Sequence, residues 1–402
     1  MTPRPNILWV VTTQWRAQAC GFAGDPNART PALDGFARES VRFAQAVTPH
    51  PFGPFARAAM LTGIASPENG IRDYYDPLPA GTPTIAGELG ANGYATAFFG
   101  KWHLSRRDPA APLVGEAHAL APVPEESRGG FGFWEGFESG FLLNNPWLHG
   151  TRLERPQRFE GYQSDVLCRR AADWVGGRAG PWFCVVSLEA PHPPYEAPAA
   201  GVAPRDPRDI VLAANVPRGG EVETRARREL AGYYAHIEAT DRAIGRLLQV
   251  PELRSAGTAV VFTSVHGDMH GAHGLFRKGW PHEESIRVPL LVRPPTGRTP
   301  GVTAELASLL DLPRLARTWA GLAPAEPAAS VQRIGMPSVV RLPHQCDRVW
   351  GGVRTARRKL AVNADGTPWL YFDLEADPLE RENLASDPAR SSEIEDFSRQ
   401  LA

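Results

Sequence analysis

The stretch NILWVVTTQWR, Asn6 to Arg16, opens as an apolar, β-branched run and ends in hydroxyl, amide and guanidinium groups. An apolar run of this length without alternation fits a strand covered on both faces, as in a parallel sheet. The same pattern recurs down the chain. Tyr94 to Phe99, YATAFF, leads into GKWHL; Pro181 to Leu188, PWFCVVSL, leads into the Pro-rich APHPPYEAP; Ala259 to Thr263, AVVFT, leads into SVHGDMHGAHG; and Val288 to Val292 reads as a further strand. Between them lie helical spacings: Pro31 to Phe43 with Leu33, Phe36 and Ala37 on one face, Thr82 to Leu89, and Arg228 to Leu248 with Leu230, Tyr234, Ile237, Ile244 and Leu247 in one stripe. Alternation of this kind implies an α/β fold, a large mixed, mostly parallel sheet sandwiched by helices. Ligands in such sheets gather beyond the carboxyl ends of the strands, where these polar clusters fall.

Two regions break the rhythm. Arg106 to Asn144 is rich in Pro and Gly and is expected to be an excursion over one face. From about Glu326 short strands with turns follow one another, RVWGGVRTA, RKLAVNA and PWLYFDLE, which reads as a small antiparallel C-terminal subdomain. The expected division is therefore residues 1–325, an α/β domain carrying the site, and residues 326–402, the small subdomain.

Charge narrows the partners. With 43 Lys+Arg against 44 Asp+Glu the formal net charge is −1, which gives no reason to expect nucleic acid or an anionic membrane. No apolar run approaches the length of a membrane span. MTPRPNILWVV lacks the charged, then apolar, then small-residue order of a leader, so a cytoplasmic location is expected. Cys20, Cys168, Cys184 and Cys346 are scattered and form no paired motif. Positive charge is written almost wholly as Arg; Lys occurs at Lys101, Lys278 and Lys359 alone, which marks those places as wanting a compact cation rather than a planar fork.

In order, PNILWVVTTQWR, RTPALDGFARESVRFAQAV, RAAMLTG, FFGKWHL, APHPPY, FTSVHGDMHGAHGL, the RKG of Arg277 to Gly279, VRTARRKL and LYFDLEADPLERENL resemble the sulfatase family of the alkaline phosphatase superfamily nearly end to end. That resemblance implies a nucleophile made from Cys or Ser at the head of a C/S-x-P-x-R signature, converted to formylglycine. It also implies a calcium-like ion held by an Asp-Asp or Asp-Gln pair after the first strand and an Asp-Asn or Asp-His pair after a late strand, since a hard cation wants charged oxygens.

Position by position this chain departs from that pattern. The nucleophile falls on Gly53 and the signature Pro on Phe55, while its Arg is Arg57. The first metal carboxylate falls on Thr13, with Gln14 matching the second ligand; the late carboxylate falls on Val265, with His266 beside it. Gly53 offers no atom to modify and Val265 no oxygen. Neither formylglycine nor the family's calcium is therefore expected, and no cofactor takes their place. Lys101, His103, His192, Lys278 and Arg57 fall where the family places sulfate-contacting or supporting groups. The missing half is anionic and metal-centred; the retained half is cationic or neutral.

The expectation is a positive pocket, stripped of its acids, for the sulfate or phosphate group of a small-molecule ester. His103 or His192 would be kept neutral as a base, with Lys101 as a third catalytic group. Lys278, Arg57, Gln14, His266, Thr13, Gly53 and His50 would contact substrate. Sulfate would then depart from carbon by elimination or intramolecular displacement. A non-catalytic relative that binds an anion or a protein partner, and a weak hydrolase of sulfuric or phosphoric esters, are the other readings. His266, Asp268, His270 and His273 raise a metal cluster as a further possibility, although their spacing matches no standard zinc site. Tyr74 and Tyr75 either line the pocket or pack beneath it, and Asp73 reads as a turn residue.

Overall fold

Of the chain, the computed structural model describes residues 4–296, 299–327 and 329–401. Fourteen strands form two sheets. The strands of the larger sheet are β1 (Asn6–Thr12), β2 (Val41–Val47), β3 (Ala95–Lys101), β4 (Phe133–Phe137), β5 (Trp147–Gly150), β6 (Leu153–Arg158), β7 (Trp182–Ser187), β8 (Thr258–Ser264), β9 (Leu290–Arg293) and β10 (Gly301–Ser308). Their spatial order is β10-β2-β9-β8-β1-β7-β3-β4-β5-β6. The central strands β8, β1, β7, β3 and β4 run parallel, while β9 and the β5–β6 edge run against their neighbours.

Pleating explains why β1 must be apolar throughout. Ile7, Trp9 and Val11 enter the core on one side of the sheet, and Leu8 and Val10 enter the core on the other. Helices α1 (Pro31–Arg38), α2 (Gly53–Thr62), α3 (Ile85–Ala91), α4 (Glu116–Ala119), α5 (Gln163–Val175) and α6 (Glu221–Leu248) cover the faces, with α2 and α3 on the Trp9 side and α5 and α6 on the Leu8 side. Thr84 caps α3 by accepting from Gly87 N.

The expected fold class is the observed one, with local differences. The helix expected from Pro31 to Phe43 stops at Arg38, because β-branched Val41 starts strand β2. The long helix starts at Glu221 rather than Arg228. The Pro/Gly-rich excursion supplies β4, which pairs with β3 inside the sheet.

The smaller sheet is antiparallel, β11 (Gln332–Met336), β12 (Trp350–Arg354), β13 (Arg358–Asn363) and β14 (Pro368–Asp373) in that order. It is fastened to the main body by buried charge. Glu283, next to the main sheet, accepts from Arg354 Nε at 3.0 Å and Nη2 at 2.8 Å, and from Lys359 Nζ at 3.2 Å; Lys359 also pairs with Glu380. Trp350 Nε1 donates to Gly279 O at 2.7 Å and Cys346 N to Lys278 O at 3.2 Å, so this sheet also braces the loop that carries Lys278.

Removing one partner of a buried ion network strands the others in low dielectric. Glu283→Ala is expected to lower unfolding stability by about 3–5 kcal/mol at neutral pH. Arg354 and Lys359 hold the Glu283 carboxyl well below the usual range against the opposing effect of burial. A depressed carboxyl contributes its stability above its unfolded pKa, so the wild-type advantage should persist through mildly acidic pH and vanish only far below the ordinary carboxylate range. Urea unfolding of both proteins across pH checks this; equal midpoints at pH 7 would refute the clamp.

Candidate functional site

The carboxyl ends of four adjacent parallel strands, β8, β1, β7 and β3, open on one cavity of about 870 Å³. Thr13 and Gln14 follow β1, Lys101 ends β3 with His103 just beyond, His192 lies in the loop after β7, and His266 follows β8. Helix α2 points its first residue, Gly53, at the same space, and Arg57, one turn on, shares that face. Thr13, Gly53, Lys101, His103, His192, His266 and Lys278 all line the cavity. Gln14 and His103 hold left-handed backbone conformations, φ 66° and 61°, which the surrounding structure must enforce.

Gln14 and Arg57 stand behind lining side chains, bonded to Lys278 and Thr13, whereas His50 neither lines the cavity nor bonds through its ring to a residue that does. Its Nδ1 donates to Gly335 O at 2.8 Å and its Nε2 accepts from Ser66 N at 2.8 Å, so both nitrogens are spent on backbone. It props the loop before α2 and does not contact the substrate space. Nor do His266, Asp268, His270 and His273 converge. Asp268 and His270 pair at 3.9 Å without a third ligand, and among the described residues three metal-capable side chains have ligand atoms within 4.8 Å of one another at His273, Glu284 and Glu380, beside the Lys359 clamp.

The expectation of a pocket without acids is corrected. Glu189, wholly buried, accepts from Lys101 Nζ at 2.5 Å and from Gln163 Nε2 at 3.3 Å, and its own N–H donates to Gln163 Oε1. Asp268 accepts from Gln14 Nε2, from Tyr195 OH at 2.8 Å, and from the N–H groups of His270 and Arg277 at 3.0 Å. Glu138 lies 3.5 Å from Arg107 and accepts from Ser105 N. Arg107 and Phe141 were also missed by the sequence reading. The Phe141 ring stacks on His192 at 4.4 Å and 6° and carries Lys101 Nζ 4.4 Å from its centroid. Placement across strands brings these groups in, and no local spacing announces them.

The same geometry decides whether a divalent ion fits. Thr13 Oγ1 accepts from Arg57 Nη2 at 2.8 Å and donates to Leu188 O at 3.0 Å. Gln14 Oε1 accepts from Lys278 Nζ at 2.5 Å, and Lys278 Nζ also reaches His192 Nε2 at 3.0 Å. Val265 is fully buried hydrocarbon. The positions aligned with the metal ligands thus hold one spent hydroxyl, one amide oxygen on an amine, one apolar side chain and one imidazole. This donor set does not fit a calcium-like ion, which wants several charged oxygens.

Hydrogen bonding also assigns the imidazole tautomers. Arg107 Nη1 lies 2.5 Å from His103 Nε2; a guanidinium only donates, so Nε2 accepts and the proton sits on Nδ1. His192 is the reverse. Its Nδ1 donates to Pro193 O at 2.8 Å, leaving Nε2 with the lone pair that Lys278 meets. His266 Nδ1 donates to Gly267 O at 2.8 Å, and its Nε2 has no hydrogen-bond partner. Burial, aided by neighbouring cations, holds all three rings well below the ordinary histidine pKa, so they are neutral at pH 7. His103 therefore presents a donor to the cavity and is not placed as a base. Burial lowers Lys101 to about 8 despite Glu189, and pushes Lys278 well below the ordinary lysine value.

Comparison with known proteins places these features. The sulfatase family model matches residues 5–324. An ulvan-active sulfatase of Formosa agariphila is 32% identical over 414 residues, covering 96% of this chain and 78% of that protein. A choline-sulfatase of Rhizobium meliloti is 25% identical, with 96% and 83% covered. Among solved structures, YidJ of Bacteroides fragilis superposes with a TM-score of 0.87 at 24% identity, covering 100% of this chain and 95% of that one. The phosphonate monoester hydrolase of Agrobacterium radiobacter gives 0.74 at 20% identity, with 99% and 95% covered. By family model, by identity along almost its whole length and by fold, the chain belongs to the sulfatase family.

Proposed function

We propose that this protein binds the sulfate group, or an equivalent phosphate group, of a small-molecule ester without a divalent ion, and that the bound anion acts as leaving group rather than as the target of a formylglycine nucleophile. The carrying observation is Lys278 Nζ on Gln14 Oε1 and His192 Nε2, an amine placed on the amide oxygen that a metal would need as ligand. Relatives named for sulfated substrates support the sulfate assignment.

In this reading Lys101, Lys278 and Arg57 hold the anion's oxygens by charge-assisted hydrogen bonds. When Lys278 turns to the anion, the Nε2 lone pair of His192 is released. In an elimination that nitrogen takes the proton from the carbon next to the ester carbon. The C–H electron pair becomes the double bond, the C–O bond breaks, and its pair leaves on the sulfate oxygen. In an internal displacement a substrate hydroxyl attacks the ester carbon and gives His192 its proton, while the C–O bond to sulfate breaks and its pair leaves on the sulfate oxygen. Stabilising the departing charge in a water-poor site is the rate-raising element.

Inorganic sulfate is the accessible probe. Lys278→Ala and Arg57→Ala are each expected to weaken sulfate binding at least tenfold, about 1.4 kcal/mol, by calorimetry. Wild-type affinity in both variants would remove the proposed pocket. Because burial lowers Lys101 to about 8, its charged form is nearly complete at pH 6.5, half lost near pH 8 and mostly lost by pH 9. Sulfate affinity should therefore fall as pH rises through that range. A flat profile from pH 6.5 to 9 would show that Lys101 does not hold the anion.

A second measurement addresses the ion. Calcium or magnesium in millimolar excess is expected to leave the thermal midpoint unchanged, because a ligand that binds only the native state raises it. A concentration-dependent rise that Glu380→Gln leaves intact would place an ion at the pocket and overturn the metal-free reading.

A further inference from the structure

The cavity is far larger than one tetrahedral anion. Its volume of about 870 Å³ falls in the range that holds drug-sized ligands, roughly 300–1,000 Å³. The groups assigned to the anion sit at the strand ends, which leaves the remaining walls for the body of the ester. One of those walls is built from α6 and the Pro-rich segment that precedes it, and its charge is unbalanced. Arg205, Arg228 and Arg277 line it against Glu196 and Glu229. Glu229 is already occupied, accepting from Arg277 Nη1 at 2.6 Å and from Arg225 Nε at 2.8 Å. Glu196 is exposed and pairs with no cation among the described residues. Arg205, half-buried, and Arg228, exposed, likewise have no ion pair and no side-chain hydrogen bond among the described residues. Each presents a planar fork of donors to the cavity without an acceptor from the protein.

Both cations stand on fixed backbone. Arg228, Ala231 and Gly232 all line the cavity at spacings of three and four, so Arg228 is on the cavity face of α6. Arg205 lies between Pro204 and Pro207, whose locked φ stiffens the segment. Arg227, next to Arg228, donates from Nη1 to Ile210 O at 2.6 Å and from Nε to Glu223 at 2.8 Å, which staples that segment to α6. A backbone set before a ligand arrives lowers the ordering cost of binding it.

From this we infer that the substrate is an organosulfate with a second anionic group, a carboxylate or a further sulfate, which Arg205 and Arg228 bind. The inference rests on the proposed sulfate pocket and names the class of ester it takes. Two oxygens of either group match a guanidinium fork with parallel, charge-assisted hydrogen bonds. An ester without the second charge leaves both cations unpaired against its body, so the wall discriminates against it. Arg205 and Arg228 are thus specificity-determining residues that never meet the departing sulfate.

Alkane monosulfates, and the same chains ending in a carboxylate or a second sulfate, form the probe series, read by calorimetry over a range of chain lengths. At the best length the doubly anionic compound is expected to bind at least tenfold tighter than the monosulfate of that length. In Arg205→Ala/Arg228→Ala the two are expected to bind alike. The thermal midpoint should not move, because neither side chain bonds to the rest of the fold. The end group with the larger gain identifies the second anion. No gain at any length, or a gain that the double variant keeps, overturns the inference and leaves the sulfate pocket standing. If neither the probes nor inorganic sulfate bind the wild type, both fail together.

Discussion

The buried pair of Lys101 and Glu189 is the constraint from which the site is built. Lys101 ends β3, and Glu189 follows the neighbouring parallel strand β7. Neither charge could survive there alone, since an unpaired ion in low dielectric costs several kcal/mol. Their contact ties the ends of two central strands, and Gln163 extends the tie to α5 by bonding both the carboxylate and the backbone of Glu189. With Lys101 fixed, Phe141 lies against its Nζ, and His192 is set by stacking on Phe141. His192 then receives Lys278, whose loop is braced from behind by the small sheet. The pocket is therefore a chain of placements, each side chain oriented by the previous one, and not a set of independent cations.

Acids inside a cation-lined pocket change how its charge works. Glu189 cancels much of Lys101, and Asp268 orients Gln14 so that its carbonyl oxygen, not its amide nitrogen, faces Lys278. An arriving dianion meets groups that are already hydrogen-bonded and must exchange partners with them.

Much of this was legible in the sequence and some could not be. The central strands announced themselves because burial on both faces requires unbroken apolar runs, and the loops after β1, β3, β7 and β8 carried the residues that the structure brings together. The three lysines proved informative: all are buried, two in the pocket and Lys359 in the clamp that holds the small sheet. Glu189 was missed because a single Glu between a strand and a Pro-rich loop has no pattern; its meaning is Lys101, 88 positions away. His50 misled for the converse reason. Nearness in sequence to Gly53 suggested a site residue, whereas its partners are Gly335 and Ser66 backbone. Strands β4 and β10 were hidden by Gly and by the short alternation of edge pairing.

The tautomers carry the argument furthest beyond sequence. His103 and His192 look equivalent in sequence, and both are neutral. One hydrogen bond each separates them. Arg107 makes His103 a donor, while the Pro193 carbonyl makes His192 an acceptor. A pocket with donors at His103 and Arg57 and lone pairs at His192 and His266 is polarised, with one side suited to anionic oxygen and the other to an incoming proton. Restoring a carboxylate at Thr13 or Val265 alone would not rebuild a metal site. Thr13 Oγ1 is held between Arg57 and Leu188, and a lone carboxylate there would pair with Arg57 rather than with an ion.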